Sequence, residues 1–389
     1  MKQLVAFEVK KLLNTWFTRA LNISILLFLI FVAVMNVTES TDMIATDRSA
    51  ESHAGPLTTE RLSDEYEKVR RWVEAGQPTS GKLADEVDQV DMMYILSPWM
   101  KGGYRVEDAM SAMENSELDF YQQLHYQVES GFDRAAADGF IYSPAERQFW
   151  MGKLKSVPTP FAYGSGFGWL QVLDCLGFLC VPILGIGITL ASVFSREYRD
   201  GTDAVILASA RGRTTLVTAK LIAAMLYAAI YEVIASLTLV GSLLALIGPK
   251  GASLPIQRYV PTAPYNLTLS QATGIGLVLL LVIALAIAAV AVALSAKFVS
   301  ALTTAAMIAF IIFLPLLGLG TSPEWRKMKS LTIDGVSSIS GLFDSYISFD
   351  IGGFVIDHLT AGAVLYIALI AICLPCAAWL FRHHQVGGR

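Results

Sequence analysis

Apolar residues arrive in six long runs, near 20–37, 170–193, 215–247, 271–294, 298–320 and 358–381. A helix of roughly 20 apolar residues crosses the hydrocarbon of a bilayer, so each run predicts a transmembrane helix. The third is long enough to tilt, or to end in a broken outer turn near Gly248-Pro249. Ahead of the first run, Val5, Val9, Leu12, Leu13, Trp16 and Phe17 share one helical face, with Glu8, Lys11, Thr15, Thr18 and Arg19 opposite. That pattern predicts an amphipathic helix over 1–19, lying on the membrane surface before the first span.

The polar stretch between the first two runs also reads as helical. Helical spacing covers 59–75, about 83–97 and about 105–130, the last stopped by Gly131. Ser143, Pro144 and Glu146 supply a cap, a first-turn proline and a capping-box acid for a helix over 144–155. Strand-like alternation is nearly absent. Ser322-Pro323-Glu324 starts a short helix by the same logic, and 333–354 reads as interfacial or re-entrant structure.

Composition agrees with the pattern: 54% of the 389 residues are hydrophobic and 16% charged, which excludes an ordinary soluble enzyme. The formal charge of −4 hides an asymmetry. Residues 38–165 hold 22 Asp/Glu against 12 Lys/Arg, and the remainder holds 11 against 17. Cations cluster before the first run, in 194–220, at Lys297 and after the last run, so both termini are expected inside. The expected fold is an all-α integral membrane protein. It has an amphipathic helix (1–19), a first span (20–37) and a large helical extracellular domain (38–169). Residues 170–389 carry spans two to six, with a cytoplasmic segment at 194–214 and an outer interfacial segment at 321–357.

Little covalent or metal chemistry is offered. No Gly-x-x-x-x-Gly-Lys-Ser/Thr cradle exists for nucleotide phosphates, and Gly164-Ser-Gly-Phe-Gly168 runs into a span instead. His-Glu-x-x-His is absent and the five histidines form no ligand set. Cys373-Leu-Pro-Cys376 lies within an apolar run, where packing is the simpler reading. The exception is Glu232, deep in the third run. A charge there costs at least about 2.5–3.5 kcal/mol, so it faces the bundle or water, or is protonated. Two readings stand: Glu232 lines a translocation route or subunit interface, or it makes a structural hydrogen bond to a neighbouring helix. Lys220, at the base of the same run, reads as a snorkelling anchor.

The most specific wording is Phe194-Ser-Arg-Glu197-Tyr-Arg199-Asp-Gly201-Thr202, followed by Ser209-Ala-Arg211-Gly-Arg213 and Leu216-Val-x-x-Lys220-Leu. With Glu8-x-Lys10-Lys11-Leu12 and six spans, the chain resembles an ABC transporter permease of the type-2 exporter class. The general pattern covers 1–37 and 170–381. The resemblance implies a non-enzymatic permease subunit in a bacterial cytoplasmic membrane. It would export a peptide, drug-like or lipid-like substrate, with ATP and Mg held by a separate cytoplasmic ATPase and a second permease chain alongside. It also implies that Glu197, Arg199, Gly201, Thr202, Arg211 and Arg213 form the ATPase-coupling contact within 194–214. The large outer domain departs from the family's compact form. The alternative is a membrane sensor or immunity protein whose outer domain binds a ligand without transport.

Overall fold

The computed structural model describes residues 1–77, 89–100, 105–209, 212–317, 322–333, 335 and 339–384. The chain opens on α1 (Lys2–Leu13) and bends at Asn14-Thr15 into α2 (Trp16–Glu39). The expected amphipathic helix over 1–19 therefore ends early, and Trp16 and Phe17 belong to the first membrane helix. Thr15 is the cause: its backbone is extended and its hydroxyl accepts the Thr18 N–H at 3.2 Å, starting a new helix. Arg19 reaches back to the Leu13 carbonyl (2.9 Å) and the Asn14 side chain (2.7 Å), fixing the bend.

The polar domain contains α3 (Thr41–Ser49), α4 (Thr59–Glu74), α5 (Gln89–Leu96), α6 (Val106–Glu114), α7 (Phe120–Ala137) and α8 (Pro144–Lys155). The α4 and α8 helices fall where spacing predicts them. The expected run at 83–97 is seen only from Gln89, because 78–88 lie outside the described residues. The expected helix at 105–130 is two helices instead. Asp119 and Gln122 form a capping box that starts α7 afresh. Gly131 does not stop it, because the next residue, Phe132, is buried against Tyr142, and that burial outweighs a glycine's cost of about 1 kcal/mol.

Strand β1 (Gly55–Pro56) pairs antiparallel with β2 (Ala162–Tyr163), closing the domain at its base. The second crossing is α9 (Phe167–Cys175), a 3₁₀ turn (Leu176–Leu179) and α10 (Cys180–Leu190), rather than one helix over 170–193. Pro182 lacks the N–H that would bond the carbonyl four residues earlier, inside that turn. Two short helices, α11 (Ser195–Arg199) and α12 (Asp203–Ala208), make the connection to α13 (Val217–Ile247). Then come α14 (Leu269–Lys297), α15 (Ala301–Phe313), α16 (Pro323–Ser330), α17 (Ile339–Phe343), β3 (Ser348–Ile351), β4 (Phe354–Asp357) and α18 (His358–Arg382).

Among the described residues, five stretches are long and apolar enough to cross a membrane: Trp16–Glu39, Phe167–Arg199, Gly212–Ile247, Leu269–Lys297 and His358–Arg382. The sixth expected span, 298–320, contains α15 and a 3₁₀ turn at Leu314–Leu317, while 318–321 lie outside the described residues. Pro315 interrupts the helix there, since it lacks the N–H that would bond the Ile311 carbonyl four residues earlier. The bundle is organised around α14, which packs on α9, α10, α13, α15 and α18. Its buried Ala284, Ala286, Ala288, Ala289 and Ala291 allow close helix approach.

Two buried junctions fasten the polar domain to the end of the bundle away from the termini. In the first, Asp47 of α3 accepts from the Ser165 hydroxyl (2.7 Å) and the Gly166 and Phe167 N–H groups (3.0 Å each), holding the start of α9. Its other oxygen accepts the Tyr259 hydroxyl (2.9 Å) and lies 3.6 Å from the buried Arg258 guanidinium, which covers the Tyr163 ring at 4.1 Å. In the second, Trp150 of α8 donates to Ser348, and Lys153 reaches Asp357. The segment expected to be interfacial or re-entrant is thus partly a β-hairpin docked on α8. Its Gly352-Gly353 turn has positive φ at both residues, the backbone a two-residue hairpin needs.

Asp344 lies beside this hairpin, accepting the Thr262 hydroxyl at 2.7 Å. Burial pushes its carboxyl up to about 6, with the Thr262 bond offsetting part of the shift. A raised carboxylate favours the fold at low pH and costs stability as pH climbs from the ordinary Asp range through 6. Asp344→Asn keeps an oxygen for Thr262 and is expected to raise stability by up to about 3 kcal/mol at pH 8 and negligibly at pH 4. Thermal melts at the two pH values check this, and an equal gain at both would refute it.

Candidate functional site

The chain termini and the α11–α12 connection meet at one end of the bundle. There α1 turns Glu8 and Lys11 inward. Glu8, expected on the polar face, is buried, and Lys220 at the base of α13 points at it rather than snorkelling outward. The Lys220 Nζ lies 2.9 Å from Glu8 Oε2 and 2.8 Å from Glu197 Oε1, and the Lys11 Nζ lies 2.7 Å from the same Glu197 oxygen. The charges alternate along a chain, Glu8–Lys220–Glu197–Lys11, so the group is neutral as a whole. It ties together α1, the connection and α13. Buried ions carry a desolvation cost of several kcal/mol each, which their partners must offset. Here each charge has an opposite one in contact.

A local turn aims Glu197 into this group. Helix α11 ends at Arg199, and Gly201 takes the left-handed conformation at φ +68°. The Gly201 N–H bonds the Tyr198 carbonyl (3.3 Å) and the Thr202 N–H bonds the Glu197 carbonyl (3.0 Å). That is a Schellman closure, which needs glycine at this position. Thr202 then donates its hydroxyl to the second Glu197 carboxylate oxygen. The Glu197…Gly201-Thr202 wording is thus one structural device: glycine reverses the chain so that threonine can cap the glutamate. Its carboxylate is buried, while Arg199, Gly201, Thr202 and Val205 (74% exposed) are presented at the surface.

The rest of the connection is fastened from other sides. The Ser295 hydroxyl, at the end of α14, accepts the Phe194 (2.9 Å) and Ser195 (3.2 Å) N–H groups, and Tyr198 donates to the Ala296 carbonyl (2.9 Å). Tyr198 also stacks on His384 (4.2 Å) and Phe381 (5.9 Å), and His384 Nε2 lies 3.5 Å from Asp203. Arg213 donates to the Leu207 carbonyl (2.9 Å), closing α12, and its own carbonyl accepts from Arg382 (2.8 Å). Gly212 has no room for a side chain: a Cβ there would lie 1.8 Å from the Ile206 carbonyl oxygen. Arg211 lies outside the described residues.

The model of the ABC-2 family transporter proteins matches residues 18–382. The chain belongs to that family. No curated protein and no solved structure matches it. The family makes the chain an ABC-2 type permease subunit and a multi-pass membrane protein. Family members are transport components that associate with a separate ABC ATPase.

Of the singled-out residues of this permease, the structure groups Glu197 and Thr202 in the ion-pair turn, leaves Arg199 and Gly201 on its exposed tip, and folds Arg213 back onto α12. Glu232 is elsewhere, about 18 Å up α13 from Lys220 by helical rise. It is fully buried, and neither carboxylate oxygen has a hydrogen-bond partner among the described residues. Tyr227 and Tyr231, on the turn below, donate instead to the Asn22 side chain (3.0 Å) and carbonyl (3.1 Å). Sequence reasoning missed Glu8, Lys11, Lys220, Ser295 and Tyr198 as members of the site. Nothing in local sequence signals a contact across 186 or 212 residues.

Proposed function

We propose that this chain is the membrane-spanning permease of an ATP-driven exporter, with both termini, α1 and the 194–214 connection on the cytoplasmic face. The 38–169 domain is then extracellular, and α15 with the residues that follow completes a sixth span. The observation that carries this reading is the clamping of the connection. Its exposed tip, formed by Arg199, Gly201, Thr202 and Val205, is held through buried groups to α1, α13, α14 and α18. A force applied at the tip by an ATPase is transmitted to all four together rather than absorbed by a floppy loop. Coupling therefore divides into two parts: Arg199, Thr202 and Val205 face the ATPase, and Glu197, Arg213 and Gly212 keep their platform rigid. ATP and Mg belong to the ATPase. A second permease chain encloses the path, and the cargo is a peptide, drug-like or lipid-like molecule.

The test is co-purification from native membranes in mild detergent. Wild type is expected to bring down a cytoplasmic ATPase in stoichiometric amount. Arg199→Glu with Val205→Asp, both on exposed side chains, is expected to reduce recovery at least tenfold without moving the melting temperature, since surface changes cost within about 0.5 kcal/mol. Reversing Glu197 is a poor test because it breaks the buried ion pairs. Absence of any ATPase under conditions that preserve other ABC complexes would favour the sensor reading.

Glu232 belongs, on this proposal, to the part of the bundle that opens during transport. A buried polar group without a partner costs about 1–3 kcal/mol, and natural sequences keep such defects where function needs them. Glu232→Leu is expected to raise thermal stability by about that amount while lowering transport. Unchanged transport for Glu232→Gln at every pH would remove the residue from the pathway.

A further inference from the structure

On the side of α1 away from the ion-pair group lies an open groove of about 940 Å³ between α1 and α13. Its bed is apolar: Val5, Val9 and Leu13 from α1, with Ile222 and Leu226 from α13. Leu13, Ile222 and Leu226 are each about 40% exposed there. The bed rises with α13. Ile222 and Leu226 sit roughly 8 and 14 Å into the helix from its start at Val217, so one end lies at the polar connection and the other within the apolar span.

The charge around this bed is one-sided. Lys2, Lys10 and Arg19 line it. The single carboxylate of α1, Glu8, is turned to the opposite face and bound by Lys220, and Lys11 is engaged by Glu197. Lys2 and Lys10 have no acidic partner among the described residues. Arg19 is fixed by the neutral Leu13 carbonyl and Asn14 side chain, which hold its guanidinium without compensating its charge. The groove therefore presents three uncompensated cations beside an apolar trough that deepens into the membrane.

We propose that this groove is the seat of an acidic phospholipid of the leaflet on the side of the chain termini, its acyl chains against Leu13, Ile222 and Leu226 and its headgroup among Lys2, Lys10 and Arg19. A second copy of this chain fits the trough less well, because the trough demands an acidic rim on whatever fills it. A soluble partner fits less well again, because half of the bed lies at the depth of acyl chains. The bound lipid would brace α1 from outside while the Glu8 and Lys11 ion pairs brace it from within.

Each Lys or Arg near an acidic lipid surface contributes about 1 kcal/mol, so three give a preference on the order of 100-fold. The test is native mass spectrometry and thermal melting of the full chain with dioleoyl phosphatidylglycerol against dioleoyl phosphatidylcholine. Wild type is expected to bind the acidic lipid on the order of 100-fold more tightly, and to lose the preference as salt rises. Lys2→Gln with Lys10→Gln leaves the Arg19 bend intact and is expected to cut the preference about 30-fold, two cations' worth. Equal binding of the two lipids by wild type, or a double variant that keeps the full preference, would overturn the proposal. So would cross-linking of a cysteine placed at Leu226 to its copy in a second chain within phosphatidylcholine nanodiscs. The assay contains no ATPase, so loss of the lipid preference and loss of the exporter reading are separate results.

Discussion

Replacing Lys220 with methionine is expected to destabilise the permease by about 3–5 kcal/mol, the cost of removing one partner from a buried ion pair. Methionine fills much the same volume, so the loss is electrostatic rather than a cavity. Glu8 is left buried without a cation, while Glu197 keeps Lys11 and Thr202. Adding Glu8→Gln restores neutrality and is expected to recover most of the loss, a coupling that a double-mutant cycle reads directly. Detergent melts of the four proteins provide the measurement. A Lys220→Met melting temperature within a degree of wild type would show that the group is too hydrated to matter. On the exporter reading, Lys220→Met also uncouples ATPase activity from transport even where protein survives, because the tip then rests on a loosened platform.

Asp47→Ala is expected to cost a comparable amount at the opposite end. It removes acceptors for Ser165, Gly166, Phe167 and Tyr259, and leaves Arg258 buried between aromatic rings without its counter-ion. Hydrogen bonds to a charged group contribute about 1.5–3 kcal/mol, and an unpaired buried cation adds to the loss. Asp47→Asn keeps the shape and one accepting oxygen, so about half the effect is expected. Limited proteolysis should follow the melt, with new cleavage in 156–169 where the polar domain returns to the bundle. Wild-type resistance there in Asp47→Ala would mean that the remaining contacts, those of Trp150 with Ser348 and Lys153 with Asp357 among them, suffice to hold the domain. The Asp47 junction and the Glu8–Lys220–Glu197–Lys11 group are separated by the α9–α10 crossing, roughly 40 Å of helix. Asp47→Asn and Lys11→Met are therefore expected to add within about 0.5 kcal/mol.

Much of this architecture is legible in local sequence because local physics writes it. Runs of about 20 apolar residues have few destinations other than a membrane. Ser143 with Glu146, and Ser322 with Pro323, start helices where they stand because a cap satisfies groups three residues away. The same kind of signal stands at Asp119 and Gln122, where it starts α7 and splits the expected 105–130 helix in two. Gly352-Gly353 likewise announces a hairpin that a hydropathy reading passes over. Pro182 and Pro315 mark where apolar helices loosen into 3₁₀ turns, and average hydrophobicity is blind to both.

The functional site divides along the same line. By itself the sequence determined that 194–220 is a basic, helix-prone segment between two membrane helices, with a Gly-Thr pair after an acidic residue. Those facts need only composition and spacing within a few residues. Tertiary structure alone decided which way each charge faces. Glu8 and Lys220, nominally solvent-facing and an interfacial anchor, become one neutral group with Glu197 and the half-buried Lys11, because neutralising one another costs less than burying any of them alone. Glu232 is the converse case. Its place at mid-helix follows from counting residues, but only the packed bundle shows that no side chain among the described residues answers it. A wheel or a hydropathy profile compares each residue with solvent, whereas an ion pair compares it with a partner hundreds of residues away.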